Sequence, residues 1–245
     1  MMCALWRWRS ITWPRARRPI EPARVRIIAA ALLAMLLATP AGRGEDAPQK
    51  LEYRGIHIDK VKRTATFPAE INMKEGLLEY LIVADTGKTH ESLLSTKIQP
   101  YDIQVAMLLL GVAPAAKTTD EPPAQINADY LHKEPPLKGA QVTVSLDWKD
   151  KAGSHHEPAG NLIWNTKENK AMTEGPWTYN GSGIYDGKFM AQVDGSVGAL
   201  VRDPAALFNN PRPGNDDDQI WKPNTKAVPP VGTPVNVTLK MEQAK

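Results

Sequence analysis

LLEYLIVADTGKTHESLLS, residues 77–95, is where the fold is written most plainly. Residues 77–84 (LLEYLIVA) hold a single acid among aliphatic and aromatic side chains, the composition of a buried strand. Asp85-Thr86-Gly87 supplies turn residues. Residues 88–95 (KTHESLLS) then read as a returning strand, so the stretch is expected to form a β-hairpin.

Just downstream, residues 100–111 (PYDIQVAMLLLG) predict a helix. Pro100 suits a first turn, where its missing N–H is harmless. Asp102 complements the positive end of the helix dipole. Ile103, Ala106, Met107 and Leu110 fall on one face, and Gly111 is a natural stop.

Upstream, Ile56-His57-Ile58 and residues 63–67, closed by Pro68, predict two short strands after a polar tether at residues 45–50. Residues 141–148 (QVTVSLDW) place Val142, Val144, Leu146 and Trp148 on one face of a half-buried strand, turned by residues 149–153. Residues 189–193, Asp194-Gly195 and residues 196–201 read as a second hairpin, because Asp-Gly favours a type I′ turn. Residues 209–230 look irregular, and residues 235–241 (VNVTLKM) are a closing strand. No internal repeat is visible.

The body, residues 45–245, holds 17 prolines in 201 residues, a density that breaks long helices. Residues 112–138 carry five of them and few apolar side chains, and are expected to be a long surface loop. The predicted architecture is α+β: one β-rich domain of short antiparallel strands and hairpins, with one main helix packed on the sheet.

Residues 1–44 are of another kind. Eight arginines and one acid, Glu21, precede and flank the unbroken apolar run at residues 27–38 (IIAAALLAMLLA). A basic front, an apolar run and small residues after it describe a secretory signal. Cleavage is expected after Ala41, with Gly44 as a second possibility. Twelve apolar residues fall short of the roughly 20 that span a bilayer. Arg17-Arg18 is a twin arginine, but Pro19 follows it, and translation could start later, near Val25. The expected location is therefore the periplasm or cell envelope, with no membrane span left after cleavage.

Charge divides the same way. The net charge of +3 belongs to the leader, since the body holds 22 basic and 26 acidic residues, a net of −4. Such a body has no broad attraction to phosphate backbones, which argues against nucleic acid as a partner. The single cysteine, Cys3, is also in the leader. A thiol-free body excludes disulfides, thiolate nucleophiles, cysteine zinc sites and iron–sulfur clusters. Nucleotide-binding patterns are absent, so no cofactor is expected.

His90-Glu91-Ser92 is the densest reactive cluster. On a strand, His90 and Ser92 share a face and Glu91 takes the other, so His90 could serve as base to Ser92 or to water. The plainer reading has His90 bonded within the sheet and Glu91 paired with Lys88. No metal-ligand spacing accompanies these residues, and none is expected to hold a metal. His155-His156-Glu157 is expected in a solvated turn, and Asp216-Asp217-Asp218 in an exposed acidic run lacking the calcium-loop pattern. Trp148, Trp164, Trp177 and Tyr179 could line a groove, but aromatics in a β-rich domain more often fill the core. Gly181-Ser182-Gly183 lacks the nucleophile-elbow pattern.

The segment Gly87-Lys88-Thr89-His90-Glu91-Ser92-Leu93, followed by residues 106–111 (AMLLLG), resembles the bacterial YdjY-domain family. Trp177, Gly181-Ser182, Asp203-Pro204, Asn209-Asn210-Pro211 and Gly232-Thr233-Pro234-Val235 follow in a similar order. The likeness runs over residues 56–239. It implies a single exported or envelope-associated domain with no established activity. Some members carry cysteine-ligated iron–sulfur segments, from which this chain departs completely, so no redox cofactor carries over. Lys88, His90, Glu91, Asn209 and Asn210 become the ligand-binding candidates, and His90, Glu91 and Ser92 the catalytic ones. The expected function is a non-catalytic envelope module that binds a small ligand or a protein partner. The alternatives are a hydrolase or metal-dependent enzyme using His90, Glu91 and a distant carboxylate such as Asp102, and a structural role at the cell surface.

Overall fold

Three long strands alternate as their sequences demand. In the computed structural model, which describes residues 49–115, 118–119 and 136–242, β1 (Lys50–Tyr53), β2 (Ile56–Asp59) and β3 (Thr64–Ile71) form a meander. Along β3, Ala65, Phe67, Ala69 and Ile71 are buried, while the residues between them are at least partly wet. The leader and residues 116–117 and 120–135 of the proline-rich segment lie outside the described residues.

Next come β4 (Tyr80–Ala84), β5 (Ser92–Thr96) and α1 (Pro100–Leu109), then β6 (Thr118–Thr119), β7 (Ala140–Asp150), β8 (Gly153–Pro158), β9 (Ile163–Asn165) and β10 (Lys170–Ala171). The chain continues through β11 (Trp177–Tyr179), β12 (Ile184–Tyr185), β13 (Lys188–Phe189), α2 (Met190–Asp194), β14 (Ser196–Ala199), β15 (Phe208–Asn209), β16 (Trp221–Pro223) and β17 (Pro234–Met241).

Eight of these strands close on themselves in the order β3-β17-β7-β11-β15-β14-β4-β5, and β5 pairs back onto β3. The domain is β-rich with one main helix, as its sequence indicates, but the barrel closure is not visible in the strand pattern. β17 sits between β3 and β7 and presents Val235, Val237, Leu239 and Met241 to the core. β7 adds Val142, Val144, Leu146 and Trp148 from the next strand. The interior is filled by side chains, as small barrels usually are.

Four local expectations are corrected. β4 and β5 are parallel, not a hairpin, with Tyr80 opposite Ser92 and Ile82 opposite Leu94. The connection, residues 85–91, turns back on itself through Gly87 N–H to Ala84 O (2.8 Å) and a 3₁₀ turn at Thr89–Glu91. Both strands are buried along their whole length, so neither keeps the wet and dry alternation of a one-faced strand, and their sequences carry no period that reveals direction. A small second cluster, Tyr80, Val83, Ala199 and Ala206, packs apart from the main core.

The second expected hairpin is also absent. Residues 190–194 form the short helix α2, and Gly195 ends it in a left-handed conformation (φ 68°, ψ 15°). Gly at that conformation serves a helix end as well as a tight turn, so Asp-Gly alone does not distinguish them. His155 and His156 lie in strand β8, not in a turn, because the reversal falls earlier: Asp150 Oδ1 accepts from Ala152 N (2.7 Å) and Gly153 N (3.2 Å). Pro68 does not close β3. It lies between the part of β3 paired to β2 and the part paired to β5, where a missing N–H breaks no ladder on that side.

The helix forms where expected, with Ile103, Ala106, Met107 and Leu110 buried and Gly111 beyond its end. Tyr101, Leu108 and Leu109 on its other side remain exposed. Gln192 of α2 holds its start, accepting from Tyr101 N (3.1 Å) and donating to Gln99 Oε1 (2.7 Å).

Gly198 of β14 faces the ring of Phe208, and a Cβ there would lie 2.3 Å from that ring. Gly198→Ala is expected to cost about 1–3 kcal/mol by overpacking, read as a lower urea midpoint with an unchanged slope.

Candidate functional site

The turn that carries Lys88, His90 and Glu91 is clamped from below. Asn72 Nδ2 donates to Thr89 O (2.5 Å) and Ser92 O (2.7 Å), and Glu79 N–H bonds Glu91 O (2.9 Å). Lys88 Nζ lies 3.2 Å from Glu91 Oε1, 3.8 Å from Glu79 Oε2 and 5.3 Å from the centre of the Tyr80 ring. Burial works against the Lys88 charge, but Glu91 and Glu79 outweigh it and lift its pKa. Burial, then the charge of Glu91, raises Glu79.

The catalytic candidates are held apart. His90 is 79% exposed, and its Nε2 is 3.9 Å from Glu91 Oε2. Ser92 is fully buried at the start of β5, where its Oγ donates to Leu94 O (2.8 Å). The 3₁₀ turn breaks the alternation that would put His90 and Ser92 on one face. Asp102 is engaged elsewhere, 3.5 Å from Arg54 Nε. Lys88 and Glu91 are the pair that the fold brings together.

Behind this turn lies an acid that the sequence reading passed over. Asp203, 4% exposed, accepts from Tyr80 Oη through Oδ2 (3.0 Å) and from Ala205 N through Oδ1 (2.8 Å). Burial raises the pKa of Asp203 against the opposing pull of these donors. Burial and the Asp203 charge push the Tyr80 phenol up as well, and Asp194 rises through burial and then Asp203. One clue was present: a tyrosine inside an aliphatic run needs a partner for its hydroxyl when buried.

Asn209 and Asn210 are 2% and 1% exposed and wholly engaged. Asn209 Nδ2 donates to Asn180 Oδ1 (2.9 Å) and Asp203 O (2.8 Å), while its Oδ1 accepts from Asp203 N (2.7 Å). Asn210 Nδ2 donates to Leu200 O (3.1 Å), and its Oδ1 accepts from Arg212 N (3.0 Å). These groups hold the loop that carries Asp203 and leave no polar atom turned outward. Ser182 is likewise internal, donating to Ala205 O (2.6 Å).

The other histidines decorate the β7–β8 hairpin. His155 stacks on Trp148 with centroids 4.9 Å apart and lies 2.9 Å from Asp150, which lowers the Asp150 pKa. His156 Nδ1 is 2.7 Å from Asp147 Oδ1. Trp148, Trp177 and Tyr179 are buried, and Trp164 is half-buried. Asp217 and Asp218 bond Gln219. Among the described residues no three His, Asp or Glu side chains are grouped to hold a metal ion. No helix among them is long and apolar enough to cross a membrane.

A side-chain-filled eight-stranded barrel, with a charged turn over a buried acid, defines a small β-rich barrel domain. The chain belongs to the YdjY-domain family, whose model matches residues 56–240. No curated protein and no solved structure matches it.

Asp203, Asp194 and Glu79 each bind a proton more readily folded than unfolded, so their favourable contribution is complete below their ordinary values of 3.8 and 4.5. It is lost as pH rises through the raised values. Asp203→Asn should therefore leave the melting temperature at pH 3.5 nearly unchanged, raise it at pH 8 and flatten the slope between. Asn209→Ala should cost about 2–3 kcal/mol in urea unfolding, because it strands buried donors and acceptors.

Proposed function

We propose that this protein is an exported, non-catalytic module of the cell envelope that binds a small ligand or a protein partner. The observation that carries this reading is the dispersal of the reactive side chains. His90 turns to solvent, the buried Ser92 hydroxyl donates its hydrogen bond to the Leu94 carbonyl, and Glu91 is committed to Lys88. A nucleophile and its base need to lie within hydrogen-bond reach, which weighs against the alternative of a hydrolase using His90 and Glu91. Export is supported by the basic and apolar leader, and by a thiol-free body whose filled core does not depend on disulfides. No cofactor is required for this role.

Three measurements test it. A thermal-shift screen should find a ligand that raises the melting temperature; a ligand at about a hundred times its Kd contributes roughly 2.7 kcal/mol. The shift should persist in His90→Ala and Ser92→Ala. Turnover of any hydrolase substrate that disappears in His90→Ala overturns the non-catalytic role. Cell fractionation should recover the protein outside the cytosol with residues 1–41 removed, and a cytosolic, unprocessed chain overturns export.

A further inference from the structure

At the end of the barrel where β3 begins and β17 finishes, the strand ends and the chain leaving α1 border a cavity of about 830 Å³. Its walls are largely apolar: Val112 and Ala113 beyond the helix, Ala140 of β7, Pro176 before β11, and Met241 of β17. Clefts of this size, apolar with a few placed polar groups, are the usual form of small-molecule sites, and barrel mouths are a common place for them.

The placed group here is Arg63. It sits in the turn before β3 with a positive φ of 56°, a conformation that costs a non-glycine residue energy. The position is held by Met241 N–H bonding Arg63 O (3.0 Å). The side chain lines the cavity, and its Nε is buried with no hydrogen-bond partner among the described residues. No described acid lies within ion-pair distance of its guanidinium, although surface ion pairs are common elsewhere on the domain. Arg63 itself is half-buried, but a buried donor nitrogen without a partner is costly, and an incoming anion that accepts from it would relieve that cost. Glu242, exposed at the rim, limits how much negative charge the site accepts.

We infer that this cavity binds a singly charged carboxylate with an apolar chain, its head paired with Arg63 and its tail against Val112, Ala140 and Met241. Beside Arg63 and Glu242, Gln141 is the other polar side chain of the lining, and the largely apolar walls suit a hydrocarbon chain better than a sugar or a nucleotide, most of whose polar groups would go unpaired there. One guanidinium beside one carboxylate suits a monoanion better than a dianionic phosphate. A guanidinium also meets a carboxylate through paired hydrogen bonds. This inference rests on the binding role proposed above and specifies its ligand.

Titration calorimetry on the full-length protein with decanoate and decanol tests it. Decanoate should bind once per chain, and decanol at least tenfold more weakly. Arg63→Gln should weaken decanoate about tenfold or more and leave decanol unchanged. Ala113→Trp, which fills the cavity from an exposed position, should weaken both, and carries the test if Arg63→Gln fails to fold. Equal affinity for the two probes, decanoate binding indifferent to both substitutions, or no saturable decanoate binding overturns the inference. A different ligand found by thermal shift, alongside failure of decanoate, removes this site assignment and leaves the binding role standing. Absence of any ligand removes both.

Discussion

Glu70 and Ile71 of β3 pair with Ser95 and Leu94 of β5, and that short ladder closes the barrel. It is reinforced by Thr96 Oγ1 donating to Pro68 O (2.6 Å) and by Ser95 Oγ to Glu70 Oε1 (3.3 Å). Without it, β3 and β5 would each expose an unpaired edge, and edges invite association with other chains. Closure also sets the direction of β5. The chain must return across residues 85–91 to start β5 beside the start of β4, and the return lifts Lys88, His90 and Glu91 onto the surface.

That arrangement explains the electrostatics of the turn. Lys88 lies over Tyr80 and between Glu79 and Glu91, while Asp203 is buried behind Tyr80. The loop bearing Asp203 is held by Asn209 and Asn210, two ligand candidates whose side chains bond the backbone of the neighbouring strand connection. Asparagine suits this work because its amide both donates and accepts. At the barrel end reached by β3 and β17, Arg63 is the contrasting case, a cationic side chain whose buried Nε has no partner among the described residues.

Legibility followed wetness. Where a strand has one wet face, its period is recorded: alternation alone places residues 142–148 on a face, and residues 235–241, read as a closing strand, keep the same alternation of burial. Residues 100–111 were equally clear, since Ile103, Ala106, Met107 and Leu110 keep a helical spacing and Gly111 follows. Where both faces are buried, as in Tyr80–Ala84 and Ser92–Thr96, no alternation remains and direction was lost. Asp194-Gly195 was ambiguous for another reason, because a left-handed glycine ends a helix or makes a turn with equal ease. In the candidate site, Lys88 with Glu91 was legible from adjacency and charge; Asp203 with Tyr80 was not, because 123 residues separate them.

By itself, the amino-acid order determined the local elements: the helix at residues 100–109, the alternating strands, a thiol-free body and a leader of different composition. These depend on side-chain period and on residue type within a short window. The closed barrel, the parallel course of β5, the burial of Asp203 and the burial of Arg63 Nε without a partner among the described residues were decided by tertiary structure alone. Each depends on which distant segments meet, as when Thr66 and Thr238 share a hydrogen bond across 172 residues. No local period encodes such a meeting; it is selected by the joint burial of apolar faces and by the requirement that buried backbone groups be hydrogen-bonded.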